Sequence, residues 1–245
     1  MAGSIVLEEI FQQFHLKKLT ISDYALREGI IYDTVKNWKR YEKSEFHSLD
    51  NIRTKAIRSI SNLYPQGREH SEHVTHLSLR IFDELSSLHN LGSHEKEYLE
   101  AAGLLHQVGL AISHSGYHKH SYYIIRNSEQ MVGFSNSEIE IIALIARYHR
   151  KSIPKPKHLE FGAISSEDQI FVKKLASFLK LADAMDRSMK KNILDVKCQL
   201  TLHEVVVTMI PHKKADPHLE LFSLDENKDL FEDTYNRRLV FKIAQ

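Results

Sequence analysis

Residues 103–151 read GLLHQVGLAISHSGYHKHSYYIIRNSEQMVGFSNSEIEIIALIARYHRK. Apolar residues recur in this stretch at helical spacing, and Ser113-His114-Ser115-Gly116 and Gly133 interrupt them as turn signals. It closes one helix near 94–107 and holds two more near 118–127 and 135–150. Working outward, the same periodicity predicts helices near 48–63, 67–87 and 166–190, divided by Pro65-Gln66-Gly67, Gly92-Ser93 and the Pro154/Pro156 loop. Six helices on short links predict a mainly α bundle. Beyond it, 196–202 and 205–210 read as a β-hairpin, a loop carrying Pro211 and Pro217 follows, and 239–243 reads as a third strand. Before it, 4–14 has a helical apolar pattern, Leu19-Thr20-Ile21 is β-like, and a helix runs from Asp23 to Trp38. That helix–strand–helix piece is too small to close its own core. The expected organisation is 1–42 as the end of a larger domain, 43–195 as the bundle, and 196–245 as a small β-rich α+β subdomain.

Composition narrows the function classes. The chain has 245 residues, 42% hydrophobic and 27% charged, ordinary for a globular protein that buries a real core. A net charge of +1 gives no global reason to expect DNA or an anionic membrane. The single Cys198 rules out an intrachain disulfide and fits a reducing compartment. No run approaches a membrane span, and Glu8 and Glu9 break the apolar N-terminus, so the expectation is a cytoplasmic protein without a signal peptide. The 16 histidines are the unusual feature, and they concentrate between 70 and 158.

Helical phase places three of the candidate ligands inward. His70 lies four before Val74 and seven before Leu77, on the stripe that continues to Ile81 and Leu85. His106 follows Ala102 at four and Leu99 at seven, and Asp183 follows Leu179 at four. A single inward histidine is commonly a hydrogen-bonded core residue. Two histidines and a carboxylate on buried faces are costly without a partner, and together they suit a divalent cation. Their order in REHSEHV, GLLHQVG and KLADAMDRS resembles the ligand order of HD-type metal phosphohydrolases. That resemblance implies an Asp after His106, where this chain has Gln107, a poor ligand unable to bridge two ions. The expectation is a degenerate site for one Mn, Fe, Zn or Mg ion, with water or His120 added.

A second constellation is cationic. His114, His118, Lys119 and His120 surround a predicted helix start, where positive charge is unfavourable unless an anion sits there. Arg147, His149, Arg150 and Lys151 end the next helix, where complementing the helix dipole explains Arg150 and Lys151 as well as ligand binding does. The phosphate-binding candidates are His118, Lys119, His120, Arg147, His149 and Arg150.

The 103–151 stretch, with HSEHV before it, LADAMDRS after it and ISDYALREGIIYD near the start, resembles the C-terminal HD-like part of the Ppx/GppA family of exopolyphosphatases and guanosine pentaphosphate phosphatases. The resemblance implies an HD-type bundle, a homodimer, and polyphosphate or guanosine polyphosphate as ligand. It also implies that residues near the start are the end of an actin-like phosphatase domain, whose phosphate loops and catalytic carboxylate are missing here. Among 9 glycines none forms a phosphate-cradling cluster. Three readings stay open. One is a binding module serving a separate actin-like catalytic chain. Another is a single-metal phosphohydrolase on His70, His106 and Asp183, with His120 or His149 as proton donor and Lys119 or Arg150 on phosphate. The third is a structural remnant.

Overall fold

A computed structural model describes residues 2–13, 15, 46–213 and 215–244. The predicted strand at 19–21 and helix at 23–38 lie outside the described residues. The chain divides into two compact units, 1–48 and 49–245. The first contributes α1, Ala2–Gln13, where the apolar pattern predicts a helix.

The second unit is built on helices. α2 spans Phe46–Leu63, α3 Arg68–Glu84, α4 Ser86–His89 and α5 Ser93–Leu105; a 3-10 turn over Val108–Ala111 leads to α6, Tyr117–Arg126. α7 is Asn136–Tyr148, α8 is Leu159–Gly162 and α9 is Ser166–Met185. Start signals act where the sequence supplies them. Ser135 caps α7 by accepting from the Glu138 amide while Glu138 reaches back, and Ser165 accepts from the Asp168 amide to start α9.

Two helices are buried on nearly every side. In α9, Val172, Leu175, Phe178, Leu179, Leu181, Ala182 and Met185 all lie inside, and in α7 Ile141 through Ala146 do. A helix apolar all round belongs at the centre of a bundle. α9 packs against α7, α3 and α5, and α3 and α7 both pack on α5. Gly103 permits one close approach: a Cβ there would stand 2.5 Å from Thr75 Oγ1 and 3.2 Å from the Thr75 Cα. α3 and α5 therefore meet nearly backbone to side chain.

The C-terminal part corrects the sequence reading in one place. β1 (Ile193–Leu200) and β2 (Glu204–Pro211) form the expected antiparallel hairpin. The segment read as a loop instead carries α10, His218–Asn227, and α11, Asp229–Tyr235, before β3, Arg238–Ile243. Pro217, read as part of that loop, is the N-cap residue of α10. β3 lies parallel to β2, Val205 opposite Leu239 and Val207 opposite Phe241, which requires such a crossover. β1 packs on α3, and α10 and α11 pack on α9. Among the described residues no helix is long and apolar enough to cross a membrane. The protein is mainly α with a small three-stranded sheet.

Candidate functional site: a histidine–aspartate centre at converging helix ends

The ends of five helices meet around one point. His70 comes from the first turn of α3, His106 is the residue after α5, Tyr117 opens α6, His149 follows α7, and Asp183 sits in the last turn of α9. Helix ends are where backbone groups are unpaired and side chains can point along the axis. Here they gather imidazoles and carboxylates.

One ligand atom from each of His70, His106 and Asp183 lies within 4.8 Å of the others, so the structure brings together the three residues that the sequence singled out. His70 Nε2 is 3.1 Å from Asp183 Oδ1, and His106 Nε2 is 3.6 Å from the same oxygen. The ring nitrogens facing away are fixed. His70 Nδ1 donates to Asp186 Oδ2 at 2.8 Å, and His106 Nδ1 donates to the Gly103 carbonyl at 2.6 Å. With its proton on Nδ1, His106 presents a lone pair at Nε2, and that atom is buried without a hydrogen-bond partner. That nitrogen and a carboxylate oxygen 3.6 Å apart call for a proton or a cation between them. Two imidazoles and a carboxylate at this spacing fit one divalent ion. Asp186 is the outer carboxylate that orients such a histidine.

Asp186 is a site residue that sequence reasoning missed. It is fully buried, and its second oxygen accepts from the Lys191 amide at 2.8 Å. The sequence reading carried the helix through 190, which placed Asp186 on a continuous helix. In fact α9 ends at Met185, and Asp186, at φ −120°, leaves the helix. The signal available was the pair of acids three apart in DAMD.

Electrostatics follow from this packing. Burial pushes the His70 imidazole down, but its hydrogen bonds to Asp183 and Asp186 outweigh that and lift it to about 9. Burial pushes the Asp183 carboxyl up, yet the His106 and His70 imidazoles beside it hold it well below the usual carboxylate range. Burial takes His149 down to about 3, with His106 adding to the effect. His149 is thus neutral; its Nδ1 donates to the Ala146 carbonyl and its Nε2 accepts from the Tyr117 hydroxyl at 3.0 Å. Such an imidazole has no proton to give at neutral pH.

Gln107 occupies a distinct niche. Its Oε1 is buried without a partner and lies over Gly67, where a Cβ would fall 1.8 Å away. Gly67 holds φ 73°, a left-handed conformation suited to glycine. Gln107, His70, Asp183 and Asp186 line a cavity of about 570 Å³ together with Arg150 and Arg187. A second cavity, of about 600 Å³, also has Asp183, Arg150 and Arg187 in its wall, with His149, Lys151 and Lys180. The two arginines stand at the shared edge of both.

The predicted cationic residues divide. His118, Lys119, Arg147 and Arg150 line a smaller cavity of about 180 Å³. Arg147 is held by Glu160 at 2.7 Å, and its charge is largely answered there. Burial, then the nearby Lys151, Arg150, Lys119 and Arg147, pushes His118 down to about 4. His120 is half-buried on α6 and lines none of these three cavities. The His106 and His149 rings are 4.7 Å apart, centroid to centroid, so His149 joins the centre itself.

A family model described as Ppx/GppA phosphatase, domain III, matches residues 52–228. Among curated proteins, a guanosine-5'-triphosphate,3'-diphosphate pyrophosphatase of Pseudoalteromonas translucida is 30% identical over 174 residues, covering 71% of this chain and 33% of the relative. Proteins of the same name from Pseudoalteromonas atlantica and Aeromonas hydrophila are each 28% identical, over 80% and 74% of this chain and 37% and 34% of their own lengths. The chain thus spans about a third of the length of these relatives. Every candidate metal ligand, the arginine pair and both larger cavities' main walls fall inside the matched segment, and the chain belongs to the Ppx/GppA phosphatase family through its domain III.

Proposed function

We propose that this domain is an HD-like module that binds the phosphate chain of polyphosphate or a guanosine polyphosphate and supports phosphoanhydride hydrolysis without being the catalyst alone. The observation that carries the reading is the placement of Arg150 and Arg187 at the edge shared by two cavities, beside Asp183. A phosphate chain is a row of anions, and planar guanidinium groups bind phosphate oxygens in pairs. The names of the relatives, which act on a guanosine bearing phosphate chains, point the same way. In this reading the catalytic residues belong to an actin-like partner chain, and the module works as a homodimer. Calorimetric titration of the metal-free protein with long-chain polyphosphate tests it. Binding should weaken at least tenfold in an Arg150→Ala/Arg187→Ala double variant, and unchanged affinity would overturn the reading.

A second reading is favoured by the partnerless His106 Nε2 and the outer carboxylate Asp186. His70, His106 and Asp183 would hold one divalent ion, which supplies a Lewis acid for phosphoryl oxygens and water. The chain's own part is orientation: Asp186 fixes His70, Gly103 fixes His106, and Arg150 holds phosphate. Elemental analysis of protein purified without chelator decides it. About one ion per chain supports the site, and metal-free protein that also fails to take up added manganese sinks it.

A further inference from the structure

Arg187 lines both larger cavities, yet no side-chain hydrogen bond or ion pair among the described residues holds it. Its place is set by the backbone of the link between α9 and β1, residues 186–192. Met189 at φ 56° and Lys191 at φ 54° make that link strained, because both are left-handed without being glycine. Such a path persists only where its surroundings fix it. On the N-terminal side of Arg187 the fixing residue is Asp186, which accepts from the Lys191 amide at 2.8 Å and from His70 at 2.8 Å. On the C-terminal side the Ser188 amide donates to Glu220 Oε1 at 3.3 Å. The same oxygen accepts from the Asn192 side-chain amide at 3.4 Å, so Glu220 touches the link at two points.

Local helix chemistry does not account for Glu220. It is the third residue of α10, after the N-cap Pro217. A glutamate in that position commonly reaches back to the N-cap N–H, and a proline has none. An acid in the first turn also complements the helix dipole, but an exposed side chain would serve that end. Glu220 is instead 0% exposed, and its Oε2 is buried without a hydrogen-bond partner. Two long hydrogen bonds on one oxygen offset little of the cost of burying a carboxylate. An apolar side chain of similar volume would leave the fold as stable or more so. Glu220 is explained by what it holds in place.

We infer that Glu220 is a positioning residue for Arg187: from the crossover helix it fixes the far side of the 186–192 link and so aims the guanidinium at the two cavities. Glu220 itself lines neither of them. Asp186 ties the near side of the link to His70. The residue that grips phosphate is therefore held between two buried carboxylates, one belonging to the histidine–aspartate centre and one to α10. The inference rests on the proposed phosphate-binding function and adds to it the residue that acts through Arg187.

The test uses the full, metal-free chain and two substitutions. Glu220→Met keeps the volume and removes both acceptor oxygens, and Glu220→Gln keeps one. Amides of 187–192 should exchange with deuterium about tenfold faster in Glu220→Met, while its urea midpoint stays level or rises. Calorimetric titration with long-chain polyphosphate should show about threefold weaker binding in Glu220→Met, most of it restored in Glu220→Gln. In an Arg187→Ala background Glu220→Met should cause no further loss, because no guanidinium is left to aim. Unchanged exchange or unchanged affinity in Glu220→Met overturns the inference, and so does an equal loss in the Arg187→Ala background. Should Glu220→Met fail to fold, Glu220→Gln carries the same comparisons with smaller effects. Full-strength binding in an Arg150→Ala/Arg187→Ala variant would instead remove the phosphate reading, and the inference with it.

Discussion

Asp186 touches no ligand position, yet it holds His70 in one ring orientation and is itself anchored by the Lys191 amide. Asp186→Asn keeps the volume and removes the charge. Metal affinity should fall by about 10- to 100-fold, as it does when an outer carboxylate is lost from a metal-bound histidine. A competition titration against a chelating dye measures this, and unchanged affinity would mean that His70 is not a ligand. Gln107→Asp should shift the same titration the other way, because a carboxylate replaces an amide in the cavity wall. Gly67→Ala addresses the neighbouring niche. Its Cβ would collide with Gln107 Oε1 at 1.8 Å while the backbone holds φ 73°. The expected loss is about 1–3 kcal/mol of unfolding free energy in urea titration. At this scale the sequence was informative where a residue shared a helical phase with the core. His70, His106 and Asp183 were legible because Val74, Leu99 and Leu179 give the phase. Asp186 was not, because its role depends on the chain leaving the helix at Met185, and no residue type there announces a stop.

At the scale of elements, Arg53 of α2 joins three pieces of the bundle. Its guanidinium pairs with Glu97 on α5 and Glu138 on α7, donates to the Gly133 carbonyl at 2.9 Å, and lies 4.3 Å over the Phe134 ring. Its side chain is 14% exposed, so the pairs are poorly screened. Arg53→Met should cost about 3 kcal/mol, since removing one partner leaves buried charge behind. Arg68→Met, which breaks the exposed Arg68–Glu72 pair, should change stability by less than about 0.5 kcal/mol. Comparing both variants by urea denaturation checks the contrast. The six main helices were readable because turn signals bracket each apolar stripe. The segment after β2 was not. Pro211 and Pro217 read as loop punctuation, and α10 hides its register because part of its apolar stripe faces a cavity and stays exposed.

For the whole molecule, the buried histidines set the response to pH. His149 and His118 are neutral when folded, with pKa values of about 3 and about 4, but ionise near the ordinary 6.5 when unfolded. Acid therefore favours the unfolded chain, and stability falls as pH drops below 6.5. Asp183, held low in the folded state, adds loss in the carboxylate range. His70 acts oppositely. Its folded value of about 9 makes its contribution complete below 6.5 and lost as pH rises through 9. Metal-free protein should thus be most stable near pH 6.5, with lower urea midpoints at pH 4.5 and 9.5. A midpoint that climbs steadily to pH 9.5 would contradict the charged state assigned to His70.

The parallel pairing of β2 and β3 exists through the α10–α11 crossover, and one face of that crossover is a cavity wall. A molecule seated in that cavity would consequently brace the last strand. Amide hydrogens of β3 should then exchange with deuterium more slowly when the cavity is filled, so that isotope uptake at the C-terminal edge reports on occupancy of the cavity.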